Sequence, residues 1–239
     1  VSPHAARVPP RENLSRRCVR TFGMTNSSFA TYIDRLCTRL TAPLPGAEAQ
    51  LKMAPAYRAE ASVVAVEDKD CREAGVLVLL FPADNALSIV LTVRRDHLPD
   101  HAGQIAFPGG QRERGETLRE TALREAHEEV ALDPACVDVL GMLTPLYIPP
   151  SNFCVHPFVG VAPEPLDLRP TDDEVGAILR VPIAHLLGPA ALRRETWTLH
   201  GQDVEVPFFD VGGHKVWGAT AMMLAELLAL CKEVFPDAA

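Results

Sequence analysis

Three glutamates, Glu125, Glu128 and Glu129, stand three and four positions apart in a segment that is predicted to be helical. At about 100° per residue, this spacing places all three carboxylates within about 100° of one helix face. No Lys or Arg stands three or four positions from Glu125 or Glu129, and uncompensated like charges at that spacing are destabilising. A divalent cation would remove this penalty, because Mg²⁺ binds carboxylate oxygens and keeps other positions for water and phosphate. The pattern therefore predicts a site for a divalent cation.

The helix that carries these glutamates is predicted to begin after Thr117 and to end at about Ala131. Thr117 and Glu120 have the spacing of a capping box, in which each residue bonds the backbone of the other. Beyond Ala131, the sequence Asp133-Pro134 does not readily continue a helix.

A glycine-containing loop precedes this helix and delivers Glu116 to the helix start. Gly109, Gly110 and Gly115 let the backbone approach a ligand closely or adopt a positive φ angle. A P-loop is the competing interpretation, but no Lys-Ser or Lys-Thr pair follows these glycines. Charge-assisted contacts to a polyanion are available from Arg94, Arg95, Arg112, Arg114 and Arg124.

The segment 110–132 resembles the Nudix box, whose pattern is G-x5-E-x7-R-E-U-x-E-E-x-G-U with U a bulky apolar residue. One departure is Ala131 where the pattern has glycine, which we expect to affect the backbone as it leaves the helix. The other is the small Ala126 at the bulky apolar position. The matching residues are Gly110, Glu116, Arg124, Glu125, Glu128 and Glu129.

This resemblance implies hydrolysis of a nucleoside diphosphate linked to another moiety, on an α/β/α sandwich, with Mg²⁺ or Mn²⁺. It implies that Glu125 and Glu129 are the principal metal ligands, and that Glu128 is a further ligand or holds metal-bound water. Arg124 and Glu116 correspond to a structural pair that braces the loop against the helix.

Glu174, in the stretch TDDEV, stands where many members of the Nudix family carry a late acidic residue near the metals. The resemblance therefore makes Glu174 a candidate general base. The alternative is an exposed carboxylate beside Asp172 and Asp173.

The residues before the box resemble the signature of the coenzyme A diphosphatases, a Nudix branch with LTxR, a later HxGQ and then FPGG. The likeness continues through the segments 144–153, 155–160 and 216–221. It implies cleavage of coenzyme A or an acyl derivative into 3′,5′-ADP and 4′-phosphopantetheine. The residues that it makes candidates for substrate binding are Arg94, His101, Gln104, Gly109 and Gly110.

Two positions depart from this branch, because Arg95 replaces a small residue and Pro99 stands where an arginine is expected. These departures keep other substrates open, such as ADP-ribose, NADH or an oxidised nucleotide. A ligand sensor without catalysis is a further alternative, which the presence of all three glutamates disfavours.

Composition and charge limit the class of protein. The net charge of −8 over 239 residues argues against a general binder of nucleic acid or of membrane surfaces, which would carry a basic footprint. The six cysteines form no CxxC pair, so we expect reduced thiols and a cytoplasmic protein. A small-molecule substrate is the predicted partner, and a monomer and a homodimer both stay open.

The organisation predicted is one α+β domain over residues 24–239, with a mixed sheet between helices. Residues 1–23 are Arg-rich and lack periodic apolar residues, which favours a disordered or non-native extension; an organellar presequence is the alternative. Helices are predicted at 28–41, 174–187 (with a break at Pro182) and 219–235, and strands at 74–81, 86–94, 137–146, 153–161 and 204–210.

Overall fold

The computed structural model describes residues 26–55, 60–84, 86–95, 103–163, 166–171, 173–199 and 201–234. The extension predicted for residues 1–23 lies outside these residues, and so do His101 and Pro99.

A mixed sheet of eight strands, counted over the described residues, forms the centre of the protein. Its central strand is apolar on both faces from Ala74 to Phe81, as expected for a strand that is covered on both sides. The strands are β1 (Arg72–Ala83), β2 (Ala86–Arg94), β3 (Ile105–Ala106), β4 (Gly109–Gln111), β5 (Asp138–Met142), β6 (Leu146–Ile148), β7 (Phe153–Val161) and β8 (Val175–Pro182).

Strands β1 and β2 form the predicted antiparallel hairpin, with Ala83 paired to Ala86. On its other edge β1 pairs in parallel with β7, from Arg72 with Phe153 to Leu80 with Val161. At the opposite end of the hairpin, β3 pairs with β2 and β4 pairs with β1. The short segment 105–111 therefore lies between β1 and β2, where it belongs to the sheet.

Helices cover both faces of this sheet, and each face has its own apolar core. On one face, α4 packs through Ala122, Ala126 and Val130 against Leu77 and Leu79 of β1. On the other face, α1 and α6 pack against the opposite side chains of the same strands. The predicted α+β class with an α/β/α sandwich is confirmed. The helices are α1 (Asn26–Leu40), α2 (Gly46–Gln50), α3 (Ala61–Val64), α4 (Leu118–Val130), α5 (Ile183–Leu187) and α6 (Gly218–Val234).

The helix predicted for 174–187 is wrong over its first half, which is strand β8. Val175, Ile178 and Val181 stand three residues apart, and this spacing imitates a helical repeat. β8 instead pairs with the edge of β2 from Ser88 to Arg94, and sheet pairing commonly overrides local pattern. Only α5, after Pro182, is helical.

A second sheet of three strands, not fully predicted, follows α5. Its middle strand, β10 (Gln202–Val211), corresponds to the strand predicted at 204–210. The flanking strands β9 (Leu192–Leu199) and β11 (His214–Trp217) pair with it on either side. β9 was missed because it is exposed along most of its length and lacks the apolar alternation that marks a half-buried strand.

The expectation of reduced thiols is wrong for one pair of cysteines. Cys71 and Cys154 form a disulfide that joins positions 83 residues apart, with a Cα–Cα distance of 5.8 Å. The bond removes the main support for a cytoplasmic location, because disulfides persist mostly in oxidising compartments.

Glu226 of α6 is a fully buried carboxylate. It accepts hydrogen bonds from the Gly46 N–H (3.0 Å), from Gln50 Nε2 (2.9 Å), and from the N–H and Oγ1 of Thr144 (3.1 and 2.7 Å). Four donors satisfy a group that would otherwise be costly to bury. They tie α2 and the β5–β6 connection to α6.

The helices of the described residues all fall short of the length and hydropathy that a membrane-spanning segment needs.

We predict that replacing Cys71 with Ser lowers the free energy of unfolding by about 2–5 kcal/mol, because the disulfide closes a long loop of the unfolded chain. Denaturant unfolding measures the change. Cys136→Ser, at an exposed cysteine outside the disulfide, is the control and should leave the unfolding midpoint nearly unchanged. Equal midpoints for both variants would contradict the prediction.

Candidate active site

Helix α4 begins and ends as its sequence predicts. The Thr117 backbone N–H donates to Glu120 Oε2 (2.8 Å), and the Glu120 N–H donates to Thr117 Oγ1 (3.3 Å), which completes the capping box. At the other end Ala131 adopts a left-handed conformation with φ 57°. This conformation favours glycine and costs other residues roughly 1 kcal/mol. The effect expected at Ala131 is therefore a strained exit from the helix.

Arg124 binds three of the acidic side chains at once. Its Nε lies 2.6 Å from Glu116 Oε1, its Nη2 lies 2.9 Å from Glu125 Oε1, and its Nη1 lies 2.8 Å from Glu128 Oε2. The bracing of Glu116 by Arg124 agrees with the expected role. The expectation that Glu125 lacks a cation beside it is wrong, because it considered only positions three and four residues away.

The same guanidinium affects two carboxyl groups differently. Hydrogen bonding to Arg124 lowers the pKa of Glu116 to about 2. Burial raises the pKa of Glu125 above its usual value, although the charge of Arg124 opposes this shift. The negative charge of Glu125 is therefore less well stabilised than that of Glu116, and added positive charge nearby would stabilise it.

Two glycines on neighbouring strands make room for Glu125 and for α4. A Cβ at Gly110 would lie 2.5 Å from Glu125 Oε1 and Cδ, so the carboxylate occupies the space above this residue. A Cβ at Gly75 would lie 2.2 Å from the Leu118 carbonyl oxygen. Gly75 and Gly110 are paired across β1 and β4. The absence of two side chains thus lets the acidic face of α4 lie directly on the sheet.

Gly109 has a different requirement, because its neighbours are backbone atoms. A Cβ there would lie 2.5 Å from the Gly75 carbonyl oxygen and 2.6 Å from Val76 Cα. The Pro108 carbonyl accepts a hydrogen bond from the Leu77 N–H (2.8 Å). The FPGG stretch is therefore part of the sheet against which Glu125 is held.

The last turn of α4 is bonded to the segment that precedes β8. The Thr171 hydroxyl donates to the Glu128 carbonyl, and the Thr171 N–H donates to the Glu129 carbonyl (3.2 Å). These bonds satisfy carbonyls that a helix end leaves without partners. Thr171, which sequence reasoning missed, stands three positions before Glu174 in the sequence. It ties the segment that leads to Glu174 to the turn that carries Glu128 and Glu129.

The structure brings together three of the other candidate residues. Arg94 Nη1 lies 2.7 Å from Glu174 Oε2, and the Arg94 N–H donates to the Gln104 carbonyl (2.9 Å). Glu174 is exposed. The candidate general base is thus ion-paired with a candidate substrate-binding arginine.

The glutamates on the acidic face of α4 offer carboxylate oxygens as metal ligands, and such ligands suit Mg²⁺ and Mn²⁺. Glu125 lies against Gly110, Glu128 is exposed, and Glu129 is half-buried with its Oε2 shielded from solvent. Among the described residues, no three His, Cys, Asp or Glu side chains already form a cluster that could hold a metal. These residues fit the ion by chemistry and by position on one face, and their side chains would turn toward it.

Two further stretches of the coenzyme A signature lie near the end of the sheet where β3 and β4 pair with β2 and β1. The Thr220 hydroxyl of α6 donates to the Ile105 carbonyl of β3 (2.9 Å), which fixes the late segment 216–221 beside the FPGG stretch. The 144–153 stretch ends in a tight connection, where Tyr147 Oη donates to Asn152 Oδ1 (3.0 Å). Asn152 Nδ2 in turn donates to the Asp70 carbonyl (3.2 Å).

Comparison with known proteins identifies relatives of the chain. The sequence profile of the NUDIX domain matches residues 72–200. A protein named uncharacterized Nudix hydrolase NudL, from Yersinia enterocolitica, is 39% identical over 144 residues, which cover 59% of this chain and 72% of that protein. The protein of the same name from Enterobacter sp. is 35% identical over 157 residues, covering 65% and 81%.

Solved structures give a more distant likeness. The crystal structure of RenU, a Nudix hydrolase from M. smegmatis, aligns with a TM-score of 0.39 and 22% sequence identity, covering 52% of this chain and 80% of that one.

We predict that Gly110→Ala lowers turnover of a diphosphate substrate by about 100-fold, because the new Cβ displaces the Glu125 carboxylate and small misplacements of catalytic groups are costly. The thermal midpoint should change little, since a side-chain end can move and Gly110 does not have a positive φ. Steady-state kinetics and thermal unfolding measure the two effects.

Gly201→Ala is the matched control. Gly201 lies between β9 and β10 with φ 77°, and a Cβ at this position would meet no other atom within 4 Å. This variant should lose stability and keep its turnover. Near-normal turnover in Gly110→Ala would contradict the importance of that close approach.

Proposed function

The chain belongs to the NUDIX domain family, and we propose that it cleaves the diphosphate bond of coenzyme A or an acyl derivative. The products are 3′,5′-ADP and 4′-phosphopantetheine or its acyl form. Nudix hydrolases act on diphosphate-containing substrates and generally use divalent metal ions such as Mg²⁺. The finer assignment, to coenzyme A, rests on the residues around the box.

The observation that carries the diphosphatase proposal is the position of Glu125 above Gly110. It places a partly desolvated carboxylate beside backbone that lacks a side chain, one helical turn from Glu129. The missing side chain at Gly110 lets this carboxylate pack onto the sheet, and burial there leaves its charge poorly solvated. A bound cation would stabilise that charge, so the site offers a cation ligand at the point where the substrate diphosphate must be neutralised.

We assign the roles as follows. Glu125 and Glu129 hold the divalent cation, with Glu128 as a further ligand, and Arg124 with Glu116 keeps the helix and its preceding loop in place. When bound, Mg²⁺ or Mn²⁺ neutralises the diphosphate and makes water more acidic. Glu128 must exchange its ion pair with Arg124 to take this role.

Glu174 is the proposed general base. Its segment is held against α4 by Thr171, which supports a position close to Glu129. Its carboxylate is ion-paired with Arg94, so accepting a proton from water requires that pair to loosen. Arg94 in turn gains an anionic partner when a substrate phosphate arrives. Gln104, whose backbone bonds Arg94, and His101 are the other proposed substrate contacts.

The assignment to coenzyme A is supported by the mutual position of separate stretches of its signature. Thr92 and Ala106 are paired across β2 and β3, and Thr220 bonds Ile105 from the late segment. The late segment is 115 positions from Ile105 in the sequence and adjacent to it in the fold, as residues that form one substrate site must be.

We predict that Glu129→Gln lowers turnover by about three orders of magnitude or more, because a neutral amide is a poor ligand for a hard cation. The thermal midpoint should stay close to that of the unmodified protein, since glutamine keeps the shape of the half-buried Glu129 side chain and removes a charge that has lost part of its solvation. Steady-state kinetics with Mg²⁺ and with Mn²⁺ measure the loss. Glu120→Gln, at an exposed glutamate of the same helix, is the control and should retain turnover.

The substrate assignment is tested by incubating the purified protein with coenzyme A, dephospho-coenzyme A, NADH and ADP-ribose and resolving the products by chromatography. We expect coenzyme A to be cleaved with a kcat/KM about tenfold or more above those of NADH and ADP-ribose. A preference for either of the latter would replace coenzyme A as the substrate. Cleavage of none of the four would refute the proposed function.

A further inference from the structure

Arg95 contains a buried hydrogen-bond donor that the fold does not use. Its Nε is shielded from solvent and has no hydrogen-bond partner among the described residues. A guanidinium is always charged and presents N–H groups in a fixed plane. Burying one of these donors without an acceptor is unfavourable, so its position calls for a ligand with an acceptor oxygen.

The side chain of Arg95 is held in place by the neighbouring strand. The Arg95 N–H donates to the Glu174 carbonyl (2.9 Å). Gly176 lies beneath the stem of the side chain, because a Cβ at Gly176 would lie 3.3 Å from Arg95 Cγ. The guanidinium is thus carried by an ordered stem that packs on backbone.

Its neighbour Arg94 does not have the same role. Arg94 is ion-paired with Glu174 at 2.7 Å, whereas the described residues give Arg95 no carboxylate partner. The charge of Arg94 is therefore partly neutralised by Glu174, whereas no carboxylate among the described residues neutralises the charge of Arg95.

Arg95 packs against β8, which pairs with the edge of β2 opposite to the segment that contains Gly110. At the end of β2 that carries Arg95, β8 lies on one edge and the segment 105–111 lies on the other. Strands are spaced about 4.8 Å apart, so Gly110 and the contact with Gly176 are separated by at least two such spacings. This separation favours a phosphate other than the one that faces Glu125.

We propose that Arg95 binds a phosphate monoester on the nucleoside part of the substrate and so determines specificity. The inference rests on the proposed function, because coenzyme A carries one such group, on its ribose, besides the diphosphate. Two phosphate oxygens accept hydrogen bonds from the Nε–H and from an adjacent guanidinium N–H, in the paired geometry that arginine favours. No bond is made or broken at Arg95.

The test is calorimetric binding of 3′,5′-ADP and of AMP, which differ by the 3′-phosphate, to the intact protein and to Arg95→Gln. We expect Arg95→Gln to weaken binding of 3′,5′-ADP about tenfold or more, with AMP binding unchanged. Arg95→Lys keeps the charge without the paired donors and should fall between the two. Arg194→Gln, which removes an exposed arginine of β9, is the control and should bind both nucleotides normally.

Equal weakening for both nucleotides would overturn the proposal, since Arg95 would then hold the 5′-phosphate. Unchanged binding of 3′,5′-ADP, with or without a lowered thermal midpoint, would also overturn it and give Arg95 a role within the fold. The binding readout is separate from cleavage. If the protein cleaves no coenzyme A but Arg95→Gln weakens only 3′,5′-ADP, the proposed function fails while the phosphate contact stands.

Discussion

The candidate site depends on the ion pairs that one guanidinium, that of Arg124, makes with several glutamates. This guanidinium bonds Glu116 in the preceding loop and both Glu125 and Glu128 on its own helix. Four acidic side chains crowd this part of the fold, counting Glu129, and one cation offsets the repulsion among three of them. Because the compensation is shared, each carboxylate is only partly neutralised. The arrangement keeps the helix stable and still leaves negative charge for a cation to bind.

A second constraint is steric. Helix α4 lies close to the sheet because Gly75 and Gly110 have no side chains to hold it away. The closeness has an electrostatic consequence, since burial against Gly110 raises the pKa of Glu125, while Glu116, bonded to Arg124, has its pKa lowered. Packing and charge are therefore coupled at Glu125, where the absence of a side chain at Gly110 permits the burial that disfavours the carboxylate charge.

Local patterns predicted some features of the molecule well. The α4 bounds followed from a capping box and a poor continuation at Asp133, both encoded within a few residues. The β1–β2 hairpin followed from two apolar runs around a short turn. The common face of the three glutamates followed from helical geometry alone.

Other features depend on residues far apart in sequence, which no local pattern reveals. β8 is a strand because β2 offers it an edge, and Cys71 meets Cys154 across 83 positions. The bonds from Thr171 to the end of α4 are of the same kind. The ion pair between Arg124 and Glu125 was not predicted for a different reason. Adjacent residues point in different directions from a helix, but the long arginine side chain can still reach its neighbour.

Glu226 bears on how much of the chain the fold requires. The family profile matches residues 72–200, yet the donors that satisfy this carboxylate include Gly46 and Gln50, and Glu226 itself lies in α6. All three positions fall outside the matched region. A fragment trimmed to that region would lack α6, and one trimmed only at its start would leave a buried anion short of two donors. The profile-matched portion therefore shares a buried polar contact with helices on both sides of it in the sequence, and trimming them would expose or strand that carboxylate.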